Sequence, residues 1–191
     1  MSDAKPAATP VDSGALLQRL DRFLSHLETL LPRPEPPEWE SAVAFRWRRR
    51  QTGFGSHGWL QPVRSLARIQ LDDLKNIDEQ KSIIERNTRQ FVRGLPANNV
   101  LLTGSRGTGK SSLIKACLNA HSAEGLRLIE VDKEDLVDLS EIVELVAGRP
   151  ERFIIFSDDL SFEEGEAGYK ALKSVLDGSV AAQSDNVLIY A

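Results

Sequence analysis

The run Gly104-Ser105-Arg106-Gly107-Thr108-Gly109-Lys110-Ser111 constrains what this chain can fold into more than any other feature. It matches the spacing G-x-x-x-x-G-K-[ST] in full, which describes a loop that curls around an anion and turns backbone N–H groups inward. Gly104, Gly107 and Gly109 supply the conformational freedom and let a ligand approach the main chain. The apolar run Val100-Leu101-Leu102-Thr103 before the loop reads as a short buried strand. Lys110 to Asn119 reads as a helix, with Leu113, Ile114, Cys117 and Leu118 on its buried side. Such a helix points its free N–H groups and the positive end of its dipole at the loop. A strand entering and a helix leaving is the context the loop requires.

The expected ligand is ATP with Mg²⁺. The phosphates are expected against residues 104–112, Ser112 included, with the Lys110 ammonium reaching the β- and γ-phosphates. The Ser111 hydroxyl is placed to ligate Mg²⁺, a cation that takes hard oxygen ligands and keeps several waters. A second motif agrees with this. Phe153-Ile154-Ile155-Phe156-Ser157 is an apolar strand, and Asp158 follows at its carboxyl end, where an acid can hold the metal ion through a coordinated water. Asp159 comes next as the candidate general base, at a position where ATP-hydrolysing proteins commonly carry the longer Glu. Glu163 and Glu164 are the alternatives for that role.

Around these motifs, strand and helix patterns alternate. Residues 77–92 read as a helix with Ile77, Ile84 and Phe91 on one stripe and Gly94 as its C-cap. Residues 126–131 read as a strand and residues 140–147 as a helix ended by Gly148 and Pro150. Residues 166–176 read as a helix entered through Ser161-Phe162-Glu163-Glu164, which has capping-box spacing, and residues 186–190 begin a fourth strand. Such alternation predicts an α/β fold with a parallel sheet covered on both faces.

The first 70 residues differ. The opening dozen, rich in Ala, Pro and Thr, are expected to be disordered. An amphipathic helix follows through residue 31, with Leu16, Leu20, Phe23, Leu24, Leu27, Leu30 and Leu31 on one face, Ser13 as N-cap and Pro32 as stop. It has two readings, a helix packed on its own domain or a surface for a protein partner. Residues 32–70 hold a Pro-rich linker and a basic, aromatic stretch, Phe45-Arg46-Trp47-Arg48-Arg49-Arg50. That stretch can be a strand with one apolar and one solvated face, or it can track nucleic acid. The expected division is therefore residues 1–31, 32–70 and 71–191.

Charge is uneven. Residues 33–68 carry seven Arg against three Glu, whereas residues 120–191 carry six Lys/Arg against sixteen Asp/Glu. The acidic half argues against a protein that coats nucleic acid non-specifically. Cys117 is the only cysteine, which excludes an internal disulfide framework and fits a reducing compartment; it reads as a core residue. His57 and His121 have no second ligand at zinc spacing. No run approaches the roughly 18 apolar residues of a membrane span, so the cytoplasm is the expected location.

With both motifs in place, the chain resembles the AAA+ ATPase superfamily. Asp158-Asp159-Leu160 is similar to the version found in bacterial replication initiators and helicase loaders. The runs 94–104, 126–136 and 158–165 more closely resemble a bacterial family of AAA+-like ATP-binding proteins without an assigned role. The resemblance implies a sheet ordered 5-1-4-3-2 and a segment near the adenine, for which Leu74-Lys75-Asn76-Ile77-Asp78 is the candidate. It also implies a fifth strand, an arginine finger and a helical lid, for which no counterpart is read before Ala191. The expectation is a piece of a longer, homo-oligomeric protein, truncated before those parts. Arg149 and Arg152 are candidates to face a neighbouring subunit.

The functional expectation is Mg²⁺-dependent ATP hydrolysis. Two alternatives accompany it: an ATP-gated switch or adaptor with little hydrolysis, and a nucleic-acid-associated loader using residues 45–50.

Overall fold

The computed structural model describes residues 14, 17–23, 37–53, 55–158, 160–162, 166–177 and 184–191. The chain divides into two compact units, Met1–Glu35 and Pro36–Ala191. In the first, residues 17–23 are helical, and Leu17, Leu20 and Phe23 are exposed. The expected cap Ser13, the stop Pro32 and the disordered first dozen lie outside the described residues.

The second unit is an α/β sandwich built on a mixed five-stranded sheet, in the order β2-β1-β3-β4-β5. The strands are β1 (Ala44–Thr52), β2 (Gly55–Pro62), β3 (Leu126–Glu130), β4 (Arg152–Phe156) and β5 (Val187–Tyr190). Neighbours pair in parallel except β1 and β2, which form an antiparallel hairpin. The helices are α1 (Asp78–Val92), α2 (Lys110–His121), α3 (Leu139–Val146) and α4 (Ala167–Leu176). Short 3₁₀ turns at Leu71–Asp73, Ser122–Glu124 and Lys133–Asp138 link them.

Side-chain alternation along each strand sorts the core into two layers. In β4, Phe153 and Ile155 pack with Leu139, Ile142 and Val146 of α3, while Ile154 and Phe156 pack with Ile114 and Leu118 of α2. Burial on both faces explains why β4 is apolar almost throughout. Each such side chain is worth about 1.5–3 kcal/mol of burial at most. Helix α1 buries Ile84, Thr88 and Phe91, and ends before Gly94, whose φ of +71° suits the left-handed turn.

Two expectations need correction. The sheet is not wholly parallel, because residues 44–62 form a hairpin that extends it beside β3. Residues 100–103 do not form a buried strand. Val100 makes an isolated parallel bridge to Tyr190, and Leu101 is 71% exposed. Among the described residues the segment pairs on one side only, through Val100 N–H to Ile189 O (2.9 Å), Ala191 N–H to Val100 O (2.9 Å) and Leu102 N–H to Ala191 O (2.6 Å). Residues 126–130, 152–156, 187–190 and 100–102 thus lie side by side.

The hairpin is the strand with one apolar face. Phe45 and Trp47 enter the core, and Gly58, paired with Arg49, is needed against the Trp47 ring, because a Cβ there would fall 1.9 Å from the indole. Three arginines of β1 meet the acidic half of the chain. Arg46 holds Glu130 at 2.6 and 2.9 Å, Arg48 lies 3.7 Å from Asp132, and Arg49 lies 3.7 Å from Asp138.

Candidate phosphate site

Helix α2 begins where the glycine-rich loop ends. Gly109, its N-cap, has φ +93°, and Gly107 has φ +78°, conformations that strongly favour glycine. The first helical bond runs from Leu113 N–H to Gly109 O at 2.8 Å. The N–H groups of Lys110, Ser111 and Ser112 therefore precede the helical ladder, as in any α-helix. No acidic side chain stands in this first turn.

The loop is curled by its own side chains. The Lys110 ammonium donates to the carbonyls of Gly104 (2.8 Å) and Ser105 (3.0 Å), and the Thr108 hydroxyl donates to Ser105 O (2.9 Å). Residues 103–108 are exposed, so an anion can reach the loop from solvent. Lys110 is thereby bonded back to the start of the loop, at its far end from the helix.

Asp158 arrives from the other side. Ile154 and Phe156 face α2, so the same alternation directs Asp158 toward it. Its Oδ2 accepts a hydrogen bond from Ser111 Oγ at 2.5 Å. The two oxygens expected to share Mg²⁺ are thus in direct contact. Mg²⁺ needs only one or two protein oxygens when phosphates and waters complete its octahedron, and this pair fits that requirement. Among the described residues no group of three or more His, Cys, Asp and Glu could hold a metal ion.

The segment expected near the base is also beside the loop. A Cβ on Gly109 would lie 4.0 Å from Ile77 Cδ1. Leu74 is buried, its carbonyl accepts from Lys81 Nζ at 3.2 Å, and Asn76 takes φ +62°. Asp159, Glu163 and Glu164 lie outside the described residues.

Other candidates are placed elsewhere. Arg149 makes two hydrogen bonds to Glu151, at 3.0 and 2.9 Å, and lies over the Trp39 ring. Arg152 donates to Asp185 O and faces the Phe91 ring. Both belong to the amino end of β4, opposite the phosphate loop. Cys117 is fully buried, and burial pushes its thiol up to about 12, as befits a core residue. His121 is buried between Glu124 (2.8 Å to Nδ1) and Glu85 (3.4 Å to Nε2). A cleft of about 580 Å³ bordered by Gly94, Asn98, Arg152 and Asp185 opens at the amino ends of the strands, away from this site.

Sequence reasoning missed the supports behind the loop. Asn87 brackets Asn98, donating to its carbonyl (2.8 Å) and accepting from its N–H (3.0 Å), and also donates to the Tyr190 hydroxyl at 3.0 Å. Asn99 Oδ1 accepts from Ile189 N–H at 2.8 Å. These contacts tie α1, β5 and the entrance to the phosphate loop together. A helix-face asparagine and an Asn-Asn pair carry no periodic signal, so only the fold reveals them.

No curated protein matches the chain. Residues 40–191, more than half of it, match the family model described as "Protein of unknown function (DUF815)", and the chain belongs to that family.

Proposed function

We propose that this protein binds Mg-ATP at the loop 104–111 and hydrolyses it, as an AAA+-type P-loop module. The observation that carries the reading is the contact of Ser111 Oγ with Asp158 Oδ2 beside a loop whose lysine bonds back to the loop's first carbonyls. A glycine loop alone can arise by chance. A strand-end carboxylate brought against the loop's hydroxyl, from 47 residues away, is a second and independent part of the same site.

In this reading the α- and β-phosphates take the N–H groups of the loop and of the first turn of α2. Lys110 exchanges the carbonyls of Gly104 and Ser105 for phosphate oxygens. Ser111 and Asp158 would hold Mg²⁺, which would supply positive charge to offset that of the phosphates. Ile77 gives the base an apolar neighbour. Asp159 accepts a proton from the attacking water. The water oxygen bonds to the γ-phosphorus, the bond to the bridging oxygen breaks, and ADP and inorganic phosphate result. Charge on the transferring group is stabilised by fixed donors rather than by covalent chemistry.

The alternative, an ATP-gated switch with little turnover, shares every binding residue and differs only at the water-activating step. Phosphate release measured on the protein and on Asp159→Asn separates the two. Loss of a general base is expected to cut turnover by about 10²-fold or more with binding retained. Unaltered turnover in Asp159→Asn removes that residue as base. Binding without phosphate release in the parent protein makes the switch the better account.

A further inference from the structure

The outer edge of β2 follows a register that can be read strand by strand. Eight pairs run without a bulge from Phe45↔Pro62 to Thr52↔Gly55. Val63 N–H donates to Ala44 O at 2.9 Å, which fixes the position opposite Ala44 as a hydrogen-bonded pair. In an antiparallel ladder such pairs alternate, so Gln61, His57 and, between them, Trp59 also face β1 with their N–H and C=O groups. The groups of Ser56, Gly58 and Leu60 therefore point the other way, away from the sheet. Pro62 stands in the same outward set, where its lack of an N–H breaks no ladder bond. Among the described residues no strand pairs with that side.

Edge strands in natural proteins are usually blunted by charges, Pro, bulges or short length, and of these β2 has only Pro62, at its end. This one is eight residues long, free of bulges, and has no Lys, Arg, Asp or Glu (Gly-Ser-His-Gly-Trp-Leu-Gln-Pro). Its neighbour β1, by contrast, has four arginines.

We propose that β2 is an association edge for a second copy of this chain, the two β2 strands pairing antiparallel about Gly58. The outward groups of Ser56, Gly58 and Leu60 are symmetric about residue 58, so this register lets each set satisfy the other. Ser56 lies opposite the partner's Leu60, and Gly58 opposite its own mate. On one face His57 meets the partner's Trp59, an aromatic pair at a non-hydrogen-bonded position where side chains approach most closely. No like charges oppose one another on β2. The arginine-bearing β1 strands stand about 14 Å apart across the pairing, beyond the screening length of about 8–10 Å. Arg46, Arg48 and Arg49 are in addition turned to Glu130, Asp132 and Asp138. The contact joins two mixed sheets into one. Five residues a side bury less than the roughly 800 Å² per partner of a standard interface, so the dimer is weak and concentration-dependent.

Sedimentation equilibrium over a concentration series tests this on the intact chain. The expected mass rises toward twice the 21.2 kDa of one chain, and Ser56→Pro, which removes an outward N–H without touching the bond set to β1, abolishes that rise. A mass that stays monomeric, or a dimer indifferent to Ser56→Pro in a folded variant, overturns the proposal. Should Ser56→Pro fail to fold, a spin label at Ser56→Cys gives the register directly, since the native Cys117 is buried. The pairing puts the two labelled Cα atoms about 15 Å apart. Absence of dipolar broadening at concentrations where the mass has doubled assigns the dimer to another surface and overturns it too.

Discussion

Ser111 Oγ donates to Asp158 Oδ2 across 47 positions of sequence, so the first turn of α2 and the carboxyl end of β4 meet at one point. A hydroxyl proton now lies between two oxygens that, with nucleotide bound, are proposed to share a cation. The account predicts that Ser111→Ala and Asp158→Asn each remove the gain in ATP affinity that Mg²⁺ confers, on the order of tenfold or more. Fluorescent-nucleotide titrations with and without Mg²⁺ provide the check. A Mg²⁺ effect that persists in both variants takes these residues out of the metal site.

The hairpin makes a packing prediction. Gly58→Ala forces a methyl group into the space of the Trp47 ring, whose Nε1 donates to Asp138 at 3.1 Å. Overpacking of this kind costs about 1–3 kcal/mol, and here it also disturbs a buried donor. Urea unfolding should show a lower midpoint with an unchanged slope. A midpoint equal to that of the parent would mean that Trp47 can leave its place freely.

Two carboxylates give opposite pH signatures. The Arg149 hydrogen bonds hold Glu151 below its ordinary 4.5. The folded state then binds fewer protons there than the unfolded chain, so this contribution is full above about pH 4.5 and is lost as pH falls through the folded value. Arg149→Gln should flatten the acid limb of stability below pH 4.5. Asp135 behaves in reverse. Burial, then the charges of Asp138 and Asp132, hold it above its ordinary 3.8, so it weakens the fold as pH rises past that value. Asp135→Asn should raise stability at pH 7. Thermal unfolding from pH 3 to 7 measures both, and a steeper acid limb in Arg149→Gln or a lower neutral-pH midpoint in Asp135→Asn would contradict them.

Much of the site was legible because its signals are local. Three glycines, a lysine and a serine at fixed spacing describe a loop without reference to the rest of the chain. β4 announced itself because burial on both faces leaves few polar positions, and Asp158 follows at its carboxyl end; that it faces α2 came only with the packing of Ile154 and Phe156. What the sequence hid depends on distant neighbours. Val100-Leu101-Leu102-Thr103 has the composition of a buried strand, but Leu101 is exposed because nothing among the described residues covers its side chain, which composition does not record. The basic hairpin joins the sheet through Arg46 and Glu130, 84 positions apart, and the acids that meet its arginines come from a segment read separately. Phe45 and Trp47 look like stacking platforms in a basic run, yet both are core residues. Asn87 and Tyr190, 103 positions apart, meet only because α1 crosses behind β5.

The central claim is that loop 104–111 holds ATP. Calorimetric titration of Mg-ATP into the parent chain and into Lys110→Ala tests it most directly. The account predicts saturable one-site binding by the parent and none detectable in Lys110→Ala, with both proteins showing the same far-ultraviolet circular dichroism. An affinity for ATP that is the same in the two proteins would contradict it.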